Sequence, residues 1–257
     1  MEGGFDRPYE PATCFAPTIA LGRHAGPGEA ESLWRDYERV LDVVPSLGLD
    51  GVRLTIEWAR VEPRRGVVDP DALARYAQVI RYARSLGLDV TVALCDAAWP
   101  SWLGLEAWLL PWVVPHVVTH ATRVVTELGD DVTGVVAFTD PIGLVTRGFL
   151  LESAPPWRRD ATADAASAHR QIDQIVERLR SDPEVGPRMV GVTHTIALDL
   201  APEVIAQQRA SVANCDEVYL RSLVKGAGPT SAPAGLLAKH GDVWSVVASP
   251  DLLRVLS

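Results

Sequence analysis

Three carboxylates in this chain stand where strand-like runs end, and each could hold or pass a proton. Glu57 lies near the close of Gly51–Trp58, Asp96 follows Leu88–Leu94, and Asp140 follows Val132–Phe138. By the period-two rule Arg53, Thr55 and Glu57 share one face of their strand, so all three point the same way. His194, on a later run, reaches a comparable depth. In a parallel barrel the carboxyl ends of the strands form the reactive mouth. Two carboxylates there, separated by about 6.5–9.5 Å with a water between them, could act as acid and base.

Plainer roles compete for each residue. Asp140 suits a cap on the turn that follows it. Asp96 suits a loop aspartate bonded to local backbone amides. Glu57 suits an ion pair with Arg53 or Arg60. Asp96, Asp140 and His194 carry donors that suit several divalent ions. They lack the tight spacing of a metal site, so no metal and no cofactor is expected. His116 and His120 lie one helix turn apart and suit the surface or the core. Trp99, Trp102, Trp108 and Trp112 crowd the loop after the third strand. They could form a stacking platform for a flat apolar ligand face, or pack a lid.

Strands alternating with helices must position these groups. Phe15–Leu21, Gly51–Trp58, Leu88–Leu94, Val132–Phe138, Met189–Ile196 and Asp242–Ala248 read as strands. Helices are expected over Leu33–Leu47, Asp71–Leu86, Val114–Leu128, Ala161–Leu179 and most of Pro202–Val224, with a stub at Asp251–Leu256. Asp69-Pro70 is an N-cap followed by proline at the first helical position. Glu152–Asp160 and Gly226–Ala234 read as loops, and no linker divides residues 1–257 into domains. Such alternation favours parallel strands with helices outside. The expected fold is an α/β, TIM (β/α)8-barrel-like domain, incomplete or rearranged, because about six units are present where a closed barrel has eight. Its open edges need a plug, closure on fewer strands, a second copy of the chain or a partner chain.

The net charge of −9 repels phosphate backbones and anionic lipid, so neither nucleic acid nor membrane is an expected partner. Cys14, Cys95 and Cys215 are odd in number and show no metal-ligand spacing. They fit reduced thiols in a cytoplasmic protein. Ala107–Val118 is too short to span a bilayer.

Several stretches resemble glycoside hydrolase family 1, the β-glucosidase family. Arg53-Leu54-Thr55-Ile56-Glu57-Trp58-Ala59-Arg60-Val61-Glu62-Pro63 is similar to the family's Arg-x-Ser-Ile-x-Trp-x-Arg-x-x-Pro. Pro100-Ser101-Trp102-Leu103 resembles Pro-x-Trp-Leu, and Ala137-Phe138-Thr139-Asp140-Pro141 resembles Thr-Phe-Asn-Glu-Pro. Gly148-Phe149, Pro155-Pro156 and Asn214–Gly226 follow in family order. The resemblance implies a TIM barrel that hydrolyses O-glycosidic bonds by double displacement, with two carboxylates about 5–5.5 Å apart. It makes Asp140 the candidate general acid/base. Together with the strand-end placement above, it leaves Arg53, Glu57, Asp96, Thr139, Trp102 and His194 as candidate contacts to a carbohydrate-like small molecule.

The chain departs from that pattern at the reactive positions. Asp96 stands for a sugar-reading histidine, Thr139 for an asparagine and Asp140 for the acid glutamate. His24 stands nearest the expected glutamine, and no Thr-Glu-Asn-Gly nucleophile motif occurs. Asp140 is one methylene shorter than glutamate, and a misplacement of about 1 Å can cost about 10²-fold in rate. Glycoside hydrolysis is therefore expected to be weak or altered. The alternative is a non-catalytic barrel that binds a sugar or another small ligand.

Overall fold

The computed structural model describes residues 13–26, 28, 33–150, 152–158, 161–197 and 243–248. Its centre is a five-stranded sheet in the order β1 (Gly51–Thr55), β2 (Asp89–Cys95), β3 (Gly134–Thr139), β4 (Met189–Ala197) and β5 (Val243–Ala248). The first four strands run parallel, and β5 runs antiparallel to β4. Parallel strands need crossovers, and helices supply them. The chain passes from β1 through the helical turn α3 (Trp58–Val61) and α4 (Pro70–Ser85) to β2. It returns through α5 (Val113–Leu128) to β3 and through α6 (Pro141–Val145) and α7 (Ala161–Ser181) to β4. Before the sheet lie α1 (Ala16–Ala20) and α2 (Tyr37–Ser46).

The start of α4 follows from Asp69-Pro70. Asp69 Oδ1 accepts from the N–H groups of Asp71 (2.9 Å) and Ala72 (3.2 Å), and Pro70 takes the first turn, where no donor is needed. The helix then turns Leu73, Tyr76, Ala77, Ile80 and Ala83 onto the sheet. Val90, Val92 and Leu94 of β2 meet that layer and are fully buried. Val117, Ala121, Val124 and Val125 of α5, with Ile172, Ile175 and Leu179 of α7, extend the same core. Each buried valine, leucine or isoleucine contributes about 1.5–3 kcal/mol by leaving water. The opposite face is wetter, with Arg53 exposed and Thr91 half-buried.

Several expected elements change. Phe15–Leu21 is not a strand: Ala16–Ala20 is a short helix, and the N–H groups of Thr18 and Ile19 both donate to the Phe15 carbonyl at 3.0 Å. Pro17 sits in its first turn, where its fixed φ suits a helix. The strand expected over Gly51–Trp58 stops at Thr55, and the helix expected from Leu33 begins at Tyr37. The last strand is antiparallel, against the expectation of an all-parallel sheet. The described residues thus give five strands rather than six strand–helix units. Pro202–Val224 and Asp251–Leu256 lie outside the described residues.

Candidate functional site

The carboxyl ends of β1 to β4 gather most of the predicted groups. Arg53 Nη1 donates to Thr193 Oγ1 of β4 at 3.1 Å. In β3 a register shift between Val136 and Phe138 places an extra residue in the strand, and Thr139 then pairs with Thr193. Bulges of this kind re-aim side chains near sites. Thr139 Oγ1 donates to the Cys95 carbonyl at 3.1 Å, tying the ends of β2 and β3 together.

Asp140 follows immediately, with φ +56 and its N–H donating to the Thr193 carbonyl at 2.6 Å. Its Oδ1 accepts from Gly143 N–H (3.1 Å) and its Oδ2 from Arg147 Nη2 (3.3 Å). Its carbonyl accepts from Leu144 N–H, so Asp140 opens and caps α6. Glycine at 143 is required by this arrangement. A Cβ there would lie 1.9 Å from Asp140 Oδ2 and 2.8 Å from the Arg147 guanidinium.

Glu57 sits beyond the end of β1 and is almost wholly buried, its side chain 6% exposed. Its N–H donates to the Tyr76 hydroxyl at 3.0 Å. Its Oε2 accepts from Arg60 Nε at 3.1 Å, so the ion pair forms with Arg60 rather than Arg53. Its Oε1 has no hydrogen-bond partner among the described residues. Burial raises the Glu57 carboxyl above the usual range, Arg60 opposes that rise, and the nearby Asp96 charge adds to it. Asp96 is half-buried, and its Oδ1 accepts from Ala97 N–H at 2.6 Å. Both carboxylates line one recess with Thr55 and Ala98.

Trp102 lies apart from this cluster. Its Nε1 donates to the Glu62 carbonyl at 2.9 Å, and its ring meets Trp58 and His116 edge-on. Trp99 and Trp108 are fully buried against each other, which fits packing rather than a platform. His194 pairs with Val246 in the sheet, and its side chain lies outside the described residues. No group of three ligating side chains able to hold a metal occurs among the described residues.

Two local clusters went unread in the sequence. Glu62 Oε2 accepts from Trp58 Nε1 and Arg123 Nη1, both at 3.2 Å, while Oε1 takes Gly66 N–H at 2.7 Å. That carboxylate fastens the β1 loop to α5. His24 packs its ring against Phe15 and Trp157 with centroids 5.8 Å away in each case. Only the count that aligned His24 with a missing glutamine hinted at the second.

The profile of glycosyl hydrolase family 1 matches residues 18–227. A 6-phospho-beta-galactosidase of Clostridium acetobutylicum is 24% identical over 184 residues, which cover 68% of this chain and 38% of that protein. A beta-glucosidase of an Agrobacterium species is 24% identical over 160 residues, 62% of this chain and 35% of its own length. The chain therefore spans little more than a third of these curated relatives. Among solved structures, a beta-glycosidase from Pyrococcus horikoshii superposes with a TM-score of 0.67 at 22% identity, covering 87% of this chain and 52% of that one. The virulence factor SghA from Agrobacterium tumefaciens gives 0.66 at 21% identity, covering 92% and 53%. These likenesses show the fold, and the parallel β1–β4 arc is part of a TIM barrel.

Proposed function

Since the chain belongs to glycosyl hydrolase family 1, we propose that it holds a carbohydrate-like small molecule at the carboxyl ends of β1 to β4, with hydrolysis of O-glycosidic bonds at most weak. Arg53, Glu57, Asp96 and Thr139 are the proposed contacts. The observation that carries this reading is Asp140. An acid catalyst must offer its carboxyl group to the leaving oxygen of a bound substrate. Here one carboxylate oxygen is held by Gly143 N–H and the other by Arg147. The group that the family resemblance makes the acid serves this chain as a helix cap.

The same cap favours a second reading, a degenerate site that binds its ligand without turnover. Aryl β-glycoside assays on wild type and Asp140→Ala test both. Rates within threefold of each other, with wild type melting higher in the presence of sugar, fit a binding protein. A fall of about 10²-fold or more in the variant would restore Asp140 as a working acid.

The setting is proposed as cytoplasmic, supported by the buried free thiols of Cys14 and Cys95. No helix among the described residues is long and apolar enough to cross a membrane. We place no nucleic acid among the partners. A second copy or a partner chain along β1 is the proposed cover for that strand, which pairs only with β2 among the described residues.

A further inference from the structure

We propose that the recess between Glu57 and Asp96 is a subsite for a protonated amine, such as the ammonium group of an amino sugar. The inference rests on the small-molecule reading above and adds the chemical class of the group that enters. Glu57 is almost wholly buried, yet its Oε1 has no hydrogen-bond partner among the described residues. An ionised oxygen in that condition carries the full cost of lost hydration. Arg60 serves the other oxygen only. Asp96 lines the same recess and brings a second carboxylate, with one oxygen held by Ala97 N–H. Among the described residues no donor reaches Glu57 Oε1, so this pair of carboxylates can accept either a proton or a cation.

Size narrows the choice. The recess leaves about 10 Å³ for the centre of a water-sized group, close to the least that holds one water molecule. An ammonium head is of that size and brings three donors. A guanidinium is too broad. A neutral hydroxyl brings one donor and leaves the paired charges uncompensated. At the position of Glu57 the family pattern leaves the residue open, and the chain fills it with a buried acid.

The test is thermal melting near neutral pH of wild type, Glu57→Gln and Asp96→Asn. The additives are methylammonium chloride against sodium chloride at equal ionic strength, and glucosamine against glucose. At tenfold excess over Kd the expected rise in wild-type Tm is about 3–5 °C with methylammonium and with glucosamine. Sodium and glucose should give less than about 1 °C by the same conversion, and both variants should lose the methylammonium response. Equal shifts by glucose and glucosamine would overturn the amine class in favour of a hydroxyl reader. Equal shifts by sodium and methylammonium, or no shift, would also overturn it. A methylammonium shift lost in Glu57→Gln, with no response to either sugar, would keep the amine site while removing the sugar reading. Should one variant fail to fold, the other carries the comparison.

Discussion

Arg53 of β1 donates to Thr193 of β4 at 3.1 Å, across two intervening strands. In a flat sheet three strand spacings separate those strands by about 14 Å, beyond the span of one arginine and one threonine. The sheet is therefore curled, and its wet face is the inside of a barrel arc. Replacing both residues in a double-mutant cycle, Arg53→Met with Thr193→Val, should give a coupling energy of about 0.5–1 kcal/mol in urea unfolding. The value is kept low because Arg53 is exposed. A coupling of zero would mean that the arc is held by its outer helices alone.

His120 provides a pH prediction. Its ring is fully buried, stacks on Trp58 at 4.8 Å with planes 13° apart, and has no partner for either nitrogen among the described residues. Burial, helped by Arg123, pulls its pKa down to about 3. The unfolded chain takes the proton near pH 6.5. Stability is thus fully present above about pH 6.5 and is lost, by up to about 1.4 kcal/mol per pH unit, as pH falls toward 3. His120→Phe keeps a stacking ring without the titration. Its unfolding free energy should fall less steeply than wild type between pH 6 and 4. Parallel curves would mean that His120 is protonated in the folded state.

Two glycines should respond differently to alanine. At Gly143 the new methyl meets the Asp140 carboxylate and the Arg147 guanidinium, which can move aside at the cost of the cap. Gly143→Ala should lose about 1 kcal/mol, and much less in an Asp140→Ala background. At Gly148 the methyl meets the Pro155 carbonyl at 2.5 Å, part of the backbone. That clash cannot swing away, so Gly148→Ala should cost about 1–3 kcal/mol in any background. Chemical denaturation of the four variants checks the ordering. Strict additivity of the Asp140 and Gly143 changes would remove Asp140 from the cap.

What the sequence disclosed and what it hid follow the range of the forces involved. Asp69-Pro70 acts within one turn, so the start of α4 was readable. Gly148 and Pro155-Pro156 stand as separate pieces of the motif, and the fold brings them into contact. Phe15–Leu21 looked like a strand because its residues are apolar, but Pro17 decided the backbone locally. The direction of Val243–Ala248 depends on pairing with β4, which no local pattern encodes. Alternation from Arg53 ends with the strand at Thr55, yet Glu57 still lines a recess with Thr55. The sequence offers Asp140 as a cap on the turn that follows it, and its tie to Arg147 depends on the turn of the chain between them.

Glu62 gives the last test, because three separate elements rely on one carboxylate. It accepts from Trp58 Nε1, Gly66 N–H and Arg123 Nη1, and is itself 9% exposed on its side chain. Glu62→Gln keeps the shape and exchanges one oxygen for an amide that can only donate. If that amide faces Gly66, a donor meets a donor. If it faces Trp58 and Arg123, two donors are left without an acceptor. The loss should be about 1–3 kcal/mol by thermal or urea unfolding. Arg123→Met removes only the partly exposed partner, and should cost less, about 0.5–1 kcal/mol. Because Arg123 bonds to Glu62 and does not itself line the Glu57–Asp96 recess, methylammonium should still raise the melting temperature of Arg123→Met as it does that of wild type. Loss of that response in Arg123→Met would show that the β1 loop and the recess move together.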